Sequence, residues 1–155
     1  MSTPATVALT RAGLPFRTHA YAHDPSVESY GLEAARATGV PAERIFKTLL
    51  VDTGSGLAVA VVPVSGSLDL KAVAVALGVK RVTMADPASA ERSSGYVVGG
   101  ISPIGQRRAL PTVIDSSAET FETVFVSGGR RGFEIELASG DLAAATRAVF
   151  AAIRR

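Results

Sequence analysis

The stretch Ile45-Phe-Lys-Thr-Leu-Leu-Val51, Asp52-Thr-Gly-Ser-Gly56, Leu57-Ala-Val-Ala-Val-Val-Pro-Val64 decides the fold class. Two apolar runs flank a short segment of Asp, Thr, Gly and Ser, which is hairpin-turn chemistry, so the runs are expected to be antiparallel neighbours. Working outward, Val79–Met84, Tyr96–Val98, Thr112–Ile114, Thr123–Ser127 and Phe133–Leu137 are further strand candidates, most of them between Gly-rich turns. A doubly wound parallel sheet would need a helix between nearly every pair of strands. The expectation is therefore an α/β chain of the α+β type, with a curved, mixed, largely antiparallel sheet and helices around it.

Helix signals fit that frame. Thr3-Pro4 reads as an N-cap followed by proline at the first helical position, and Gly13 closes the helix. Phe16–His23 alternates, with Phe16, Thr18, Ala20 and Ala22 on one face and Arg17, His19, Tyr21 and His23 on the other. Further helices are expected over Gly31–Thr38, stopped by Gly39, over Ser67–Leu77, ended by Gly78, and over Pro87–Arg92. The chain should close with an amphipathic helix over Asp141–Ile153 that buries Leu142, Ala145, Val149 and Ile153. No repeat, low-complexity tract or composition break marks a linker, so residues 1–155 are read as one domain.

Composition narrows the class. Hydrophobic residues make up 47% and charged residues 19% of the chain, which excludes a disordered chain. The longest apolar runs fall far short of the ~20 residues that a membrane helix needs. Pro4, Arg11 and Gly13 interrupt the start of the chain, so no secretion signal is read and a cytoplasmic protein is expected. The absence of cysteine excludes disulfides, thiolate metal sites and a cysteine nucleophile. Sixteen Lys and Arg stand against 14 Asp and Glu, yet half of the basic residues are paired: Lys80–Arg81, Arg107–Arg108, Arg130–Arg131 and Arg154–Arg155. Singly each pair reads as solvated surface charge, and together they read as a discontinuous surface for a phosphate backbone.

Catalytic motifs are conspicuously few. GxSxG, the Walker loop, HExxH and GxGxxG do not occur, and Ser102 in Gly100-Ile-Ser-Pro-Ile-Gly105 sits one residue too early for a nucleophile elbow. His19 and His23 share a strand face without an evident third ligand, so no metal site is expected. Lys47 is the only charge in an apolar strand, either snorkelling to solvent or aimed into a cleft to pair with a phosphate or carboxylate. Thr48 points the other way and can contribute through its backbone. Gly95–Gly105 holds four glycines, and Ser127-Gly-Gly-Arg-Arg-Gly132 is a second Gly-rich loop, able to form an anion-binding nest.

Taken in order, Tyr21-Ala-His-Asp-Pro25, Phe46-Lys-Thr-Leu-Leu-Val51, Ser67-Leu-Asp-Leu-Lys71, Met84-Ala-Asp-Pro87, Gly95–Gly105, Ser127–Gly132 and Glu136-Leu-Ala closely resemble the bacterial YbaK-type Cys-tRNA(Pro) deacylases. These are free-standing relatives of the editing domain inserted in bacterial prolyl-tRNA synthetases. The resemblance spans essentially the whole chain and implies hydrolysis of a mischarged aminoacyl ester, above all cysteine on proline tRNA. Pocket size alone discriminates a methylene-sized difference by only about 1–3 kcal/mol, which makes a second sieve necessary.

The resemblance further implies that the substrate's own thiol attacks the ester carbonyl, with no protein nucleophile and no cofactor. Orientation of that kind contributes up to about 7–11 kcal/mol in favourable intramolecular cases. Carried over, Lys47 holds the phosphate of the terminal adenosine, and the Gly100 backbone positions the aminoacyl group. Tyr21, Tyr30, Thr48, Ile101, Ser102, Pro103, Ser127 and Glu134 are implied as substrate-binding residues. Tyr30 and Glu134 depart from the family's usual Phe and Asp. The implied partners are a mischarged tRNA acceptor end and, in a transient ternary complex, prolyl-tRNA synthetase. Two alternatives stay open: editing of Ala- or other small-residue-charged tRNA by hydroxyl-assisted water attack, or a non-catalytic tRNA- or synthetase-binding module.

Overall fold

The computed structural model of the chain describes residues 2–26 and 29–155. Helix α1 (Pro4–Ala12) starts at a reciprocal cap: Thr3 Oγ1 accepts the Thr6 N–H, and Thr6 Oγ1 accepts the Thr3 N–H at 2.9 Å. Strand β1 (Arg17–Ala20) follows, then α2 (Tyr30–Thr38), whose N-cap is the Ser29 hydroxyl. Strands β2 (Phe46–Asp52) and β3 (Leu57–Pro63) form the expected antiparallel hairpin. Next come α3 (Leu70–Leu77), β4 (Thr83–Met84), α4 (Pro87–Ser94) and β5 (Thr112–Asp115). The chain ends with β6 (Thr123–Arg130), β7 (Phe133–Ala138), α5 (Ser139–Thr146) and β8 (Val149–Ala151).

The strands form two sheets. One is three-stranded and antiparallel, in the order β1-β7-β6, and the other is five-stranded and mixed, in the order β4-β2-β3-β5-β8. Four of the strand pairings are antiparallel and two, β3–β5 and β5–β8, are parallel. An isolated bridge between Ile45 and Phe125 stitches the two sheets together. The mixed, largely antiparallel reading holds, with the sheet divided in two at this bridge.

The main core fills the space between the sheets, with Phe46, Leu50, Val61 and Ile114 on one side facing Val124, Val126, Ile135 and Leu137. Leu9 of α1 and Leu142 of α5 close it, both fully buried, and each such leucine stabilises the fold by about 1.5–3 kcal/mol. Helix α3 covers the other face of the five-stranded sheet, packing Val73 and Ala74 against Val51, Ala58, Ala60 and Val113. Burial on both faces explains why Leu57–Pro63 is apolar almost without interruption rather than alternating.

Four expectations are corrected. The C-terminal helix does not reach Ile153 but stops at Thr146, where Arg147 turns left-handed with φ 55°. The following residues leave it to pair as β8, in parallel with β5, and Val149, expected in the core, is 55% exposed. The Asp115 carboxylate anchors this end by accepting the N–H groups of Ile153 and Arg154 at 2.9 and 3.0 Å. Tyr96–Val98 is a turn, not a strand: Tyr96 is buried because its hydroxyl donates to the Ile104 carbonyl at 2.7 Å. The strand expected over Phe16–His23 is regular only over Arg17–Ala20, and that expected over Val79–Met84 only at Thr83–Met84.

Candidate functional site

The shortness of β4 creates the main cavity. Only Val51 and Asp52 of β2 pair with it, so the earlier part of β2 has one edge without a neighbouring strand there. The Ile45 carbonyl bonds toward β3, accepting the Val64 N–H at 2.8 Å, and the Leu50 carbonyl bonds toward β4, accepting the Ala85 N–H at 3.1 Å. By the alternation of an antiparallel ladder, the Thr48 N–H and C=O point to the uncovered edge. Phe46–Leu50 all line a cavity of about 360 Å³ beside this edge. Its other walls are the start of α2, the Met84–Ala90 region, the Val98–Ile101 loop, and Ser127 and Glu134 of the three-stranded sheet.

Seven of the ten expected site residues come together here: Tyr21, Tyr30, Lys47, Thr48, Ile101, Ser127 and Glu134. Lys47 lines the cavity, is half-buried and forms no ion pair among the described residues. The Thr48 hydroxyl is buried with no hydrogen-bond partner. A buried polar atom left unsatisfied costs about 1–3 kcal/mol, which a ligand group that bonds it recovers.

Glu134 lies across from His19 of β1 and Ser127 of β6. It is only 7% exposed, and burial pushes its carboxyl up to about 8, so near neutrality it mostly carries its proton. Burial, and then the nearby Glu134 and Glu33 carboxylates, push the Tyr21 hydroxyl up to about 12 and keep it a neutral donor. Ser127 Oγ accepts the Gly129 N–H at 3.2 Å, which closes a tight turn at the bulge in β6.

The remaining three residues, Gly100, Ser102 and Pro103, do not line the cavity. The Ser102 side chain is wholly buried and accepts the Ile104 N–H at 3.2 Å, so it organises its own loop. Gly100 is buried where a Cβ would stand 2.6 Å from the Arg130 Cα, and its N–H donates to the Val97 carbonyl at 2.8 Å. It lets the two Gly-rich loops touch, while its neighbours Gly99 and Ile101 reach the cavity. Arg131 joins the rim. Its guanidinium lies 4.8 Å from the Tyr30 ring centre and donates to the Val98 carbonyl.

Reading the sequence missed the Met84–Ala90 wall. Met84, Ala85, Pro87 and Ala90 carry no chemistry of their own, although Met84-Ala-Asp-Pro87 was part of the resemblance. The histidines are engaged elsewhere. His19 Nε2 lies 2.9 Å from Glu136, whose carboxyl is held below its usual range by Thr123 first and then by His19 and Arg44. His23 Nδ1 lies 2.7 Å from Glu33, and among the described residues no three His, Asp or Glu side chains gather as a metal site.

A cavity between two sheets, with a lysine that makes no ion pair, buried polar groups and no hydrogen-bonded nucleophile–base pair among the described residues, describes a site that holds a ligand by position. The chain matches the aminoacyl-tRNA editing domain over residues 24–145 and belongs to that family. A relative from Enterococcus faecalis (strain ATCC 700802 / V583) carries the name Cys-tRNA(Pro)/Cys-tRNA(Cys) deacylase EbsC. It is 41% identical over 120 residues, 77% of this chain and 73% of that protein. Among solved structures, the hypothetical protein APE2540 aligns over 99% of this chain and 100% of its own, at 26% identity and a TM-score of 0.86. A structure that goes under the name of a trans-editing enzyme for prolyl tRNA synthetase shares the fold, with TM-score 0.84, 24% identity and 100% and 99% of the two chains covered. No helix is long and apolar enough to cross a membrane among the described residues.

Proposed function

We propose that this chain is a trans-editing aminoacyl-tRNA deacylase that hydrolyses Cys-tRNA(Pro), and Cys-tRNA(Cys) with it, by substrate-thiol assistance. The observation that carries the reading is the cavity itself: Lys47 and the bare edge at Thr48 line one space with Tyr21, Tyr30, Ser127 and Glu134. Lys47 pairs with the phosphate of the terminal adenosine. The exposed backbone of Thr48 and the neighbouring Gly99–Ile101 segment orient the aminoacyl group, with Gly100 acting as a positioning residue that holds the loop in place.

The chemistry needs no protein nucleophile. The cysteine sulfur attacks the ester carbonyl carbon, the bond to the ribose oxygen breaks, and the proton lost by the thiol ends on the departing tRNA hydroxyl. The resulting small cyclic thioester is opened by water to free cysteine. Holding sulfur and carbonyl in attack geometry supplies up to about 7–11 kcal/mol in favourable cases, part of which ring strain offsets here. Selectivity lies in the reaction, because a hydroxyl in place of the thiol is a poorer nucleophile and a methyl is none. Prolyl-tRNA synthetase completes the assembly in a transient ternary complex, in the cytoplasm.

The test is deacylation of Cys-, Ser- and Ala-charged proline tRNA side by side, with the Lys47→Ala variant as control. Loss of cysteine alone, abolished in the variant at unchanged thermal stability, is the expected result. Equal loss of all three amino acids would replace thiol assistance by directed water attack. Inactivity toward all three would leave a binding module, and full activity of the variant would remove Lys47 from the site.

A further inference from the structure

The four adjacent basic pairs meet different fates in the fold. Arg130 lies 5.0 Å from the Phe133 ring centre, and Arg131 is held by Tyr30 and the Val98 carbonyl. Lys80 and Arg81 share their cleft with the Asp52 carboxylate. The Arg154 side chain runs against Gly66, where a Cβ would stand 2.6 Å from its Cδ. The Arg107 side chain lies along Gly95, where a Cβ would stand 3.6 Å from its Nε, and its guanidinium, like that of Arg108, has no aromatic ring or carboxylate beside it among the described residues. Both line a separate groove with Arg92, Ser89 and Ser93 of α4, and none of the three arginines forms an ion pair among the described residues.

Nearby groups do not account for this cluster. Three of the last four carbonyls of α4 are already satisfied by backbone N–H groups: Glu91 by Gly95, Ser94 by Arg107 and Ser93 by Arg108. Those three need no guanidinium as a cap. Of the acids on or beside α4, Glu91 accepts the Val98 N–H, and Asp86 accepts the N–H and hydroxyl of Ser89. Arg92 donates to the Ser89 hydroxyl at 3.2 Å, which leaves most of its fork free. At the base of the groove, Ser93 is 7% exposed and its hydroxyl is buried without a partner. Three guanidiniums without an ion-pair partner line one groove with Ser93, whose buried hydroxyl is orphaned, and these unmet hydrogen bonds call for an anionic, oxygen-rich ligand.

We infer that this groove is a second phosphate site, which takes a phosphodiester of the nucleic-acid strand whose terminal nucleotide occupies the main cavity. The inference rests on the deacylase reading for that occupant, and α4 supplies the link between the two places. Pro87 and Ala90 line the cavity, whereas Ser89, Arg92 and Ser93 line the groove. A strand leaving the cavity reaches the groove by passing around one helix, a distance of about 10 Å. Phosphate contacts of this kind fix the register of the strand without reading its sequence.

The experiment compares the wild-type protein with the Arg107→Gln/Arg108→Gln double variant and with Arg92→Gln, all checked by thermal melting. Affinity for uncharged full-length tRNA is measured between about 50 and about 300 mM salt, and each lost phosphate contact should lower the salt slope by roughly 1. The double variant is expected to bind tRNA about tenfold more weakly at low salt. On charged tRNA it should show raised KM with kcat unchanged, and on cysteinyl-adenosine, which fills only the main cavity, wild-type rates. Unchanged tRNA affinity and salt slope in both folded variants would overturn the groove. An equal loss on cysteinyl-adenosine would also overturn it, because the arginines would then act on the main cavity. Wild-type inactivity on both charged substrates would refute the deacylase reading alone, since binding through the groove is measured without turnover.

Discussion

Replacing Glu134 by glutamine should make the protein more stable, and increasingly so as the pH rises. In the native state burial lifts the Glu134 carboxyl from 4.5 to about 8. Below the lower value both folded and unfolded chains are protonated and the site costs nothing. Between the two values the unfolded chain releases a proton that the native one retains, so native stability falls as pH rises and levels off above the higher value. At ~1.4 kcal/mol per pH unit the full span is worth about 5 kcal/mol, of which about half lies between pH 5 and 7. That is a large share of the ~5–15 kcal/mol that holds a typical domain together. Glutamine has the same shape and cannot ionise. Urea unfolding of both proteins at about pH 5, 7 and 9 gives the difference directly, and the other titrating groups largely cancel in it. A gain that stays constant across that range would refute the reasoning.

Two further substitutions test how the loops and the first helix are tied down. Gly100→Ala places a Cβ 2.6 Å from the Arg130 Cα and 2.8 Å from the Arg131 nitrogen, both backbone atoms that cannot swing aside. It should cost about 1–3 kcal/mol, seen as a lowered melting temperature, and an unchanged one would count against so close an approach. Thr3→Ala removes both the helix cap and the hydroxyl bond to the Gly128 carbonyl. A loss of about 1–2 kcal/mol in chemical denaturation is expected, and a neutral result would mean that the hydroxyl bonds do not hold the helix to β6.

What was legible follows from how local each signal is. The hairpin at residues 45–64 could be read because turn chemistry and two apolar runs sit next to each other, and α1 because cap, proline and glycine all fall within its own span. The C-terminal segment misled for a specific reason: Val149 and Ile153 are four apart, which suits one helix face, whereas once the chain pairs as β8 Val149 is exposed and Ile153, beyond the strand, is buried. Only the open side of β5 decides between helix and strand, and that lies far away in the chain. Lys47 and Thr48 stood out as polar residues in an apolar strand. The Met84–Ala90 wall did not, since ordinary apolar residues become a lining only where β4 stops. Gly100 was singled out for what its backbone could approach; in the fold it meets the backbone of Arg130 and Arg131 in the other loop.

The early end of β4 has an evolutionary side. The site owes its existence to hydrogen bonds that are not made along β2, beyond Val51 and Asp52. Insertions that let the partner strand run on opposite Thr48 would zip that edge shut and erase the cavity, with every lining residue unchanged. Conversely, any sheet whose outer strand retreats by a few residues exposes a ready row of donors and acceptors. Loop length around β4 is thus as much a determinant of this pocket as the identity of Lys47, and relatives that differ there should differ in what they admit.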